Sequence, residues 1–299
     1  MQAATDYLGL RSGEWRLVVQ AAIWNDELQK QALALVDQQQ WAKHPQTLIV
    51  PFLNRGRRIE LFLKVFHPSK GGAAWKNWIR RSKALQAWRQ GLAMTSAGFN
   101  IPKTVAAGER RRFGRLRRGF ILTQKVAGQG APIFLRELLE SGSNSERLKT
   151  KRAGLRQLAA MVRRLHDRGF IHGDLVATNI FIHRPANDGM IFFLMDNDRT
   201  RRYPRWLPQS LWKRNLIQLN RLPLPGITLQ DRMRFFRAYI EKPKLTAVER
   251  RLARWFEQKT RQRRKECDQV DASGNFRRLM HWSGDLRAVE MERSRWPSG

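Results

Sequence analysis

Cysteine and long apolar runs are nearly absent from this sequence, and each absence excludes a class of protein. The 299 residues include a single cysteine, Cys267, which excludes an internal disulfide and a cysteine-based zinc site. No stretch approaches 18 consecutive apolar residues, and residues 1–17 lack the pattern of a secretory signal peptide. We therefore expect a cytosolic protein that is soluble or attached to a membrane surface without crossing the bilayer.

Acidic residues are also scarce. The chain has 57 Lys and Arg residues against 25 Asp and Glu residues, a formal net charge of +32. Such a charge attracts anionic partners, of which nucleic acid, anionic lipid head groups and phosphorylated glycans are candidates. An arginine-rich proteome is the alternative explanation. No helix-turn-helix, zinc-finger or RNA-recognition signature is present, so no nucleic-acid partner is expected.

The residues that are present suffice for a substantial core. Hydrophobic residues make up 42% of the chain and aromatic residues 10%, and the length suggests about two domains. The first part reads as a small sheet that carries one long helix. Hydrophobic periodicity and turn residues predict helices at 26–42 and 73–97 and strands at 47–53, 59–66, 101–109 and 118–126.

After Val126 the pattern becomes mainly helical, so the boundary between a mixed part and a helical part falls near 126–130. Prolines punctuate the stretch 204–225, and residues 270–299 carry no pattern that we can interpret. The predicted elements are helices at 130–141 and 145–168, short strands at 179–183 and 190–196, and further helix from about Gln230 to the basic segment 261–266.

Three polar side chains occur in a predicted helix–loop–strand–turn–strand segment. The loop after Gly169 presents Asp174 and, five residues later, Asn179, and the second strand ends at Asp196. Phosphoryl transfer needs this set, because one carboxylate orients the attacking hydroxyl and takes its proton. An amide oxygen and a second carboxylate then hold Mg²⁺ against the phosphates. The alternative is a polar loop that caps a helix, followed by an ordinary acid at a strand end.

The same residues resemble a known family. The spacing His172-x-Asp174-x-x-x-x-Asn179 matches the catalytic loop of protein kinases. The sequence Asp196-Asn197-Asp198-Arg199 stands where kinases have Asp-Phe-Gly. Together with residues 214–240, it resembles the bacterial lipopolysaccharide core kinases, which phosphorylate the Kdo or heptose sugars of the inner core.

The resemblance, which spans about residues 45–265, implies a fold and a set of roles. The implied fold is α+β and two-lobed, protein-kinase-like, with a small antiparallel-sheet N-lobe and a mainly helical C-lobe. Residues 1–126 would bind nucleotide, and residues 127–299 would form the catalytic and substrate lobe with a basic terminal helix. The implied cofactors are ATP and Mg²⁺. The implied roles are Asp174 as catalytic base, Asn179 and Asp196 as metal ligands, Lys64, Gln124 and Val126 as ATP-binding residues, and His172, Asp198 and Arg199 as structural or substrate-contacting residues.

Three departures from the kinase pattern stand out. Gly173 occupies the position that usually holds arginine in the catalytic loop, and no Gly-x-Gly-x-x-Gly loop precedes it. No acidic residue lies between Glu60 and Glu109, so the helix after Lys64 lacks the glutamate that usually pairs with this lysine. The candidate partners of Lys64 are Asp196, Glu60 or an acid from elsewhere.

The resulting prediction is an ATP-dependent kinase that phosphorylates a sugar hydroxyl, of Kdo or heptose, in the lipopolysaccharide inner core. Basic residues would hold the anionic glycolipid precursor, and the enzyme would be peripheral at the inner face of the cytoplasmic membrane. The alternatives are a small-molecule or protein kinase of the same fold, and a catalytically inactive pseudokinase that binds anionic partners. A cationic aminoglycoside acceptor does not suit so basic a chain.

Overall fold

The chain forms two compact units. The computed structural model describes residues 6–40, 47–54, 57–68, 78, 81–185, 189–204, 210–221, 224 and 226–271. The first unit comprises Met1–Val126 and Phe193–Thr200, and the second comprises Ala127–Phe192 and Arg201–Gly299. The segment 193–200, which carries Asp196 and Asp198, therefore packs with the N-terminal part of the chain although it is far away in sequence.

A six-stranded antiparallel sheet forms the frame of the first unit, in the order β1-β2-β5-β6-β4-β3. Strand β4 lies between two others, so that Lys64 is opposite Thr47 of β3 and Ile121 of β6. The strands are β1 (Tyr7–Ser12), β2 (Trp15–Gln20), β3 (Thr47–Asn54), β4 (Arg57–Phe66), β5 (Thr104–Arg112) and β6 (Arg115–Gln124).

Helix α1 (Asp26–Gln38) supplies one side of the hydrophobic core of this unit. Its buried residues Leu28, Ala32 and Val36 recur at four-residue spacing, which places them on one face of the helix. They belong to the same buried cluster as Leu61 and Leu63 of β4. Each fully buried leucine stabilises the fold by about 1.5–3 kcal/mol, so this cluster fixes the strand on which Lys64 lies.

Helix α2 (Lys83–Ser96) is anchored at its N-terminus by a buried acid. Ser82 caps the helix by accepting a hydrogen bond from Leu85 N. The Ser82 backbone N–H in turn donates to Glu109 Oε2 at 3.2 Å. Burial alone would raise the pKa of Glu109, but the Arg111 guanidinium and the Ser82 donors hold that pKa below its usual value. The charged Glu109 side chain thus links the N-terminus of α2 to strand β5.

The second unit is mainly helical. A three-stranded sheet, in the order β10-β9-β7, and a two-stranded pair, β8 and β11, accompany its helices. The helices are α3 (Ala131–Glu140), α4 (Asn144–Asp167), α5 (Ser210–Asn220), α6 (Leu229–Ile240) and α7 (Ala247–Asp271); the strands are β7 (Gln129–Gly130), β8 (Phe170–Ile171), β9 (Ile180–His183), β10 (Ile191–Leu194) and β11 (Arg201–Arg202).

A buried ion pair joins two of these helices. The Asp231 side chain, at the start of α6, is 1% exposed and accepts from Lys151 Nζ of α4 at 2.8 Å and from Arg234 at 2.7 Å. Asp231 also completes a capping box with Thr228, so each carboxylate oxygen has charged or backbone donors. A buried carboxylate is tolerated only when it is paired in this way.

Most of the predicted elements are confirmed, with differences at their ends and several omissions, among them the two-residue strands β7, β8 and β11. Helix α1 ends at Gln38 rather than at 42. Helix α2 begins at Lys83, and most of residues 73–81, where the sequence predicted its first turns, lie outside the described residues. The hairpin of β1 and β2 was not predicted. Helix α5 was not predicted either, because prolines punctuate its surroundings. They precede and follow the helix, where proline is compatible with helical structure.

Among the described residues, none of the helices combines the length and the apolar character that a membrane crossing requires.

Two glycines with nearly the same backbone conformation offer a matched test of the fold. Gly169, after α4, has φ +79° and a Cβ there would lie 2.3 Å from the Tyr203 carbonyl oxygen, whereas Gly98, after α2, has φ +78° and no atom within 4 Å of such a Cβ. We expect Gly98→Ala to cost about 1–2 kcal/mol of unfolding free energy, the usual penalty for the left-handed region. Gly169→Ala should cost clearly more, because the backbone of Tyr203 must also move.

Urea denaturation of the two alanine variants measures this difference. Equal losses in the two variants would contradict the expectation and would mean that the chain around Tyr203 gives way at little cost.

Candidate active site

Lys64 of the first unit contacts two acids of the segment 193–200. Its Nζ forms an ion pair with Asp196 Oδ1 and lies 4.0 Å from Asp198 Oδ1. It also lies 5.3 Å from the centre of the Phe66 ring. Glu60, the other candidate partner on the same strand, pairs with Lys125 instead. The structure therefore resolves the partner of Lys64 in favour of Asp196, with Asp198 beside it.

The backbone around Asp196 is held in an unusual conformation. Asp196 has φ +56° and ψ +57°, the left-handed region, which aspartate adopts more readily than most residues but still at a cost. The flanking chain fixes it, since Leu194 N donates to Asn100 O at 3.0 Å and Asn197 Nδ2 donates to Leu194 O at 3.0 Å. The turn thereby directs the Asp196 carboxylate toward Lys64.

Asp198 is the buried member of the acidic pair. Its side chain is 7% exposed, compared with 37% for Asp196. Burial, together with the neighbouring Asp196 carboxylate, raises the pKa of Asp198 to about 6, although Lys64 opposes the shift. Arg199, the next residue of the same 3₁₀ turn (Asn197–Arg199), is exposed. Of the two residues that the sequence grouped as structural or substrate-contacting here, Asp198 lies within the charged cluster and Arg199 lies at the surface.

The predicted adenine-side segment leaves the sheet where the first unit ends. Gln124 is the last residue of β6, lies opposite Leu61, and donates its backbone N–H to Lys103 O at 2.8 Å. Lys125 and Val126 follow outside the strand, and Lys125 N donates to Glu60 O at 3.3 Å. The first unit therefore groups the predicted nucleotide-binding residues on strand β4, at the end of strand β6 and in the segment 193–200.

The predicted catalytic loop lies in the second unit, between β8 and β9. Gly173 has φ +21°, in a region that side chains with a Cβ seldom adopt. The carbonyl oxygen of Asp174 accepts hydrogen bonds from Val176 N and from Asn179 Nδ2, both at 3.0 Å. Because the amide nitrogen of Asn179 is used in this way, its Oδ1 is the atom suited to bind a cation.

Helix α5 holds the backbone of this loop. Asn215 Oδ1 accepts from His172 N at 3.1 Å, and Gln218 Nε2 donates to Gly173 O at 3.1 Å. The two side chains are linked to each other, since Asn215 Nδ2 donates to Gln218 Oε1 at 3.0 Å. His172 itself is fully buried, which supports a structural role. The residues before Asp174 are therefore clamped by two amide side chains one helical turn apart.

Asn215 and Gln218 are residues that bind the predicted catalytic loop and that sequence reasoning missed. The sequence does show these two polar residues three positions apart, with the apolar residues 216, 217 and 219 beside them. This pattern could not be read because the helix that carries them was not predicted. Gln218 binds the carbonyl of Gly173, the position where the arginine of the kinase loop is missing, so helix α5 supplies support from outside the motif.

A partly buried histidine extends this network to helix α6. His166 Nδ1 lies 2.9 Å from Tyr239 Oη, and its Nε2 lies 3.2 Å from Asn215 Oδ1. Burial lowers the pKa of His166 to about 4, against the opposing effect of Asn215. The ring is therefore neutral near pH 7, as a bridge between a hydroxyl and an amide requires.

The two predicted metal ligands, which belong to different units, each offer an atom of a type that Mg²⁺ prefers. Among the described residues, no group of three or more His, Cys, Asp or Glu side chains is arranged as a metal site. Mg²⁺ needs few protein ligands, because it retains water and binds substrate phosphates. The partly exposed Asp196 carboxylate and the Asn179 amide oxygen are hard oxygen donors of the preferred type, so these residues suit Mg²⁺ better than a transition metal.

Comparison with known proteins decides the family. A model of the lipopolysaccharide kinase (Kdo/WaaP) family matches residues 74–239, which is more than half of the chain. The chain belongs to this family. No curated protein matches it significantly. The membership makes the chain a phosphotransferase of lipopolysaccharide synthesis that acts on a sugar hydroxyl, with ATP as the donor expected of a kinase.

Solved structures support the fold of this lipopolysaccharide kinase. A structure described as WaaP in complex with acyl carrier protein is 21% identical, covers 83% of this chain and 99% of that chain, and has a TM-score of 0.58. The kinase domain of a Toxoplasma gondii rhoptry antigen is 16% identical over 82% of this chain and 92% of that chain, with a TM-score of 0.37, which is too low to support an argument. The predicted α+β, protein-kinase-like fold is confirmed.

The histidine bridge predicts a pH dependence of stability. Because the folded-state pKa of His166 is about 4 and its ordinary value is 6.5, the unfolded chain binds more protons between these values. The contribution of His166 is fully present above pH 6.5 and is lost at up to about 1.4 kcal/mol per pH unit as the pH falls toward 4.

The measurement is the difference in urea stability between wild type and His166→Gln at several pH values, since this difference cancels the opposite effect of Asp198. The advantage of the wild type should shrink from pH 7.5 to pH 5. Asn144→Ala, at the exposed start of helix α4, should leave the wild-type pH profile unchanged. A difference that does not vary with pH would contradict a neutral, partly buried His166.

Proposed function

We propose that this chain transfers the γ-phosphate of ATP, with Mg²⁺, to a hydroxyl group of Kdo or heptose in the inner core of a lipopolysaccharide precursor. The observation that carries the proposal is the loop from His172 to Asn179, in which the Asn179 amide binds the Asp174 carbonyl at 3.0 Å. This loop occurs in a chain of the lipopolysaccharide kinase family. The loop joins the base and the amide ligand into one rigid element, as phosphoryl transfer requires.

Asp174 is assigned the role of the base. Its carboxylate would accept a hydrogen bond from the acceptor hydroxyl and take the proton as the oxygen attacks the γ-phosphorus. Its side chain is partly buried, and the backbone on either side is fixed by Gln218 at Gly173 and by Asn179 at Asp174. A base that is held in this way needs little reorganisation when the hydroxyl arrives.

Asn179 Oδ1 and the Asp196 carboxylate are assigned to the metal. When bound, Mg²⁺ would neutralise charge that develops on the phosphate oxygens. Lys64 would donate to the nucleotide phosphates, and the backbone groups of the segment from Gln124 to Val126 would contact the adenine ring. The ion pair between Lys64 and Asp196 within the first unit supports a common phosphate-binding region for these two residues.

The acceptor is assigned from charge as well as from family. A formal charge of +32 suits a phosphorylated or acidic glycolipid and the anionic membrane surface in which it is anchored. The enzyme would then act at the inner face of the cytoplasmic membrane, held there by exposed basic residues. The rival function, a pseudokinase that only binds anionic partners, makes the opposite prediction for nucleotide turnover.

Two conservative substitutions test the assigned roles. Asp174→Asn should reduce phosphate transfer at least 100-fold, because general bases commonly contribute about 10²–10⁴, while ATP binding is retained. Asp196→Asn should instead weaken binding of ATP in the presence of Mg²⁺. The measurements are transfer of labelled phosphate to Kdo- and heptose-containing core precursors, and thermal stabilisation by ATP with and without Mg²⁺.

Asn144→Ala, at the start of helix α4 and outside the assigned site, serves as a control and should keep both properties. Normal turnover by Asp174→Asn would remove Asp174 as the base. Binding of ATP by the wild type without transfer to either precursor would favour a different acceptor.

A second part of the proposal concerns a protein partner. The structural neighbour WaaP was solved in complex with acyl carrier protein, and a carrier protein of this class presents an acyl chain on a flexible arm. The second unit of this chain contains an apolar cavity of about 680 Å³. We propose that the cavity receives the acyl chain of such a carrier.

The walls and the opening of the cavity fit such a ligand. Apolar side chains from five helices and strand β9 line it, among them Phe134, Leu158, Ile180, Leu219, Phe236 and Phe256. The exposed Arg250 and Arg254 of helix α7 also border it, with the half-exposed Leu229. An apolar interior of this kind is complementary to an apolar acyl chain.

Filling the cavity tests this assignment with a matched pair of variants. Hexadecanoyl-loaded acyl carrier protein should raise the unfolding temperature of the wild type, whereas the same carrier without an acyl chain should not. Ala253→Phe places a ring in the cavity wall and should abolish the shift, and Ala160→Phe, at an exposed site of α4, should keep it. Equal stabilisation by the unloaded carrier would contradict binding of the acyl chain.

A further inference from the structure

We propose that Asp198 is a positioning residue for Lys64 and takes the place of the helix glutamate that pairs with this lysine in other kinases. The carboxylate thus comes from the 3₁₀ turn after Asp196 and not from helix α2. This role rests on the proposed function, because it assigns Lys64 to the phosphates of ATP. It adds to the site a residue that the kinase pattern does not contain at this position.

The acids within reach of Lys64 are few. None occurs between Glu60 and Glu109, so helix α2 has none to offer. Glu60 pairs with Lys125, and Glu109 is occupied by Arg111 Nε at 2.9 Å and Ser82 N at 3.2 Å. Asp196 and Asp198 are the acids that the structure places beside Lys64.

The position of helix α2 explains how the substitution is possible. Helix α2 packs against the turn Asn197–Arg199 as well as against strands β5 and β6. The chain after α2 is tied to the same segment, because Leu194 N donates to Asn100 O at 3.0 Å. The helix therefore fixes Lys64's carboxylate partner indirectly, by supporting the turn that carries Asp198.

The two carboxylates differ in exposure, and this difference suits them to different roles. The Asp196 side chain is 37% exposed and the Asp198 side chain is 7% exposed. The exposed carboxylate can bind a cation that arrives from solvent. The buried carboxylate needs a permanent counter-charge, which Lys64 supplies from 4.0 Å. If a metal ion bound Asp196, Asp198 would remain as the carboxylate that holds Lys64 in place.

Nucleotide binding tests the role without requiring turnover. Asp198→Asn keeps the shape of the side chain and removes its charge. The dissociation constants of ATP and ADP should rise about tenfold, the usual effect of losing one charge-assisted contact. The dissociation constant of adenosine should not change, because Lys64 would contact phosphates only. In the Lys64→Met background, Asp198→Asn should have no further effect on ATP.

A stability cycle keeps the test open if Asp198→Asn folds poorly. Lys64→Met should lower the unfolding temperature, because it leaves Asp198 buried without its counter-charge, and adding Asp198→Asn to that variant should restore part of the loss. Glu14→Gln, which removes an exposed acid between strands β1 and β2, should leave ATP affinity unchanged.

Three results would overturn the role. Unchanged ATP affinity in Asp198→Asn, with normal binding by the wild type, would reject it while the proposed function stands. An equal loss of adenosine binding would show that Asp198 only stabilises the fold. Effects of Asp198→Asn and Lys64→Met that add, with a higher Mg²⁺ requirement, would make Asp198 a metal ligand. Absence of ATP binding by the wild type would instead reject the proposed function itself.

Discussion

The Lys64 ammonium group and two carboxylates form the charged cluster on which the candidate site depends. Acidic residues are the minority in this basic chain. The first unit nevertheless places two of them, Asp196 and Asp198, beside one lysine. Burial, and after it the repulsion of the neighbouring Asp196 carboxylate, raises the pKa of Asp198 to about 6. The Lys64 ammonium group offsets part of this repulsion, since it pairs with Asp196 and lies 4.0 Å from Asp198 Oδ1.

This constraint accounts for the backbone around the cluster. A left-handed residue at Asp196 costs free energy, and the structure offsets it with hydrogen bonds at Leu194 and Asn197 and with the packing of helix α2 on the turn. Helix α2 is in turn held by the buried Glu109 at its N-terminus. The acid that the helix lacks for Lys64 is thus found in the turn that the helix supports, while Glu109 of the neighbouring strand anchors the helix itself.

The second unit solves a parallel problem at the catalytic loop. The loop has glycine where kinases have arginine, and glycine adds both flexibility and the freedom to adopt a positive φ. Asn215 accepts a hydrogen bond from His172 N and Gln218 donates one to Gly173 O, which restricts the backbone at this glycine. His166 connects Asn215 to Tyr239. Side-chain amides, which are neutral, achieve this without adding to the positive charge of the chain.

How far the sequence could predict this site depends on whether an interaction is local. The loop from His172 to Asn179 and the acid Asp196 were recognisable because their spacing along the chain is fixed by one helix and two short strands. The strand of Lys64 was recognisable from its apolar and β-branched neighbours. The role of each of these residues remains a proposal.

The partners of these residues could not be settled from the sequence, because they come from distant parts of the chain. Asp196 was one of the candidate partners of Lys64, but nothing local indicates that Asp198 lies beside it or that helix α5 reaches back to Gly173. Helix α5 was missed for a local reason as well, since prolines near both of its ends resemble those of a loop. The departures from the kinase pattern were visible in the sequence, whereas their compensation was visible only in three dimensions.

The departures themselves follow a common logic. Where a kinase uses a charged side chain within the motif, an arginine in the loop or a glutamate in the helix, this chain uses a group from an adjacent element. A motif can lose a residue when groups from other elements maintain the geometry that the residue provided. The missing glutamate and arginine are therefore weak grounds for considering the chain inactive, and the stronger criterion is whether Lys64 and the backbone before Asp174 remain fixed, as they do here.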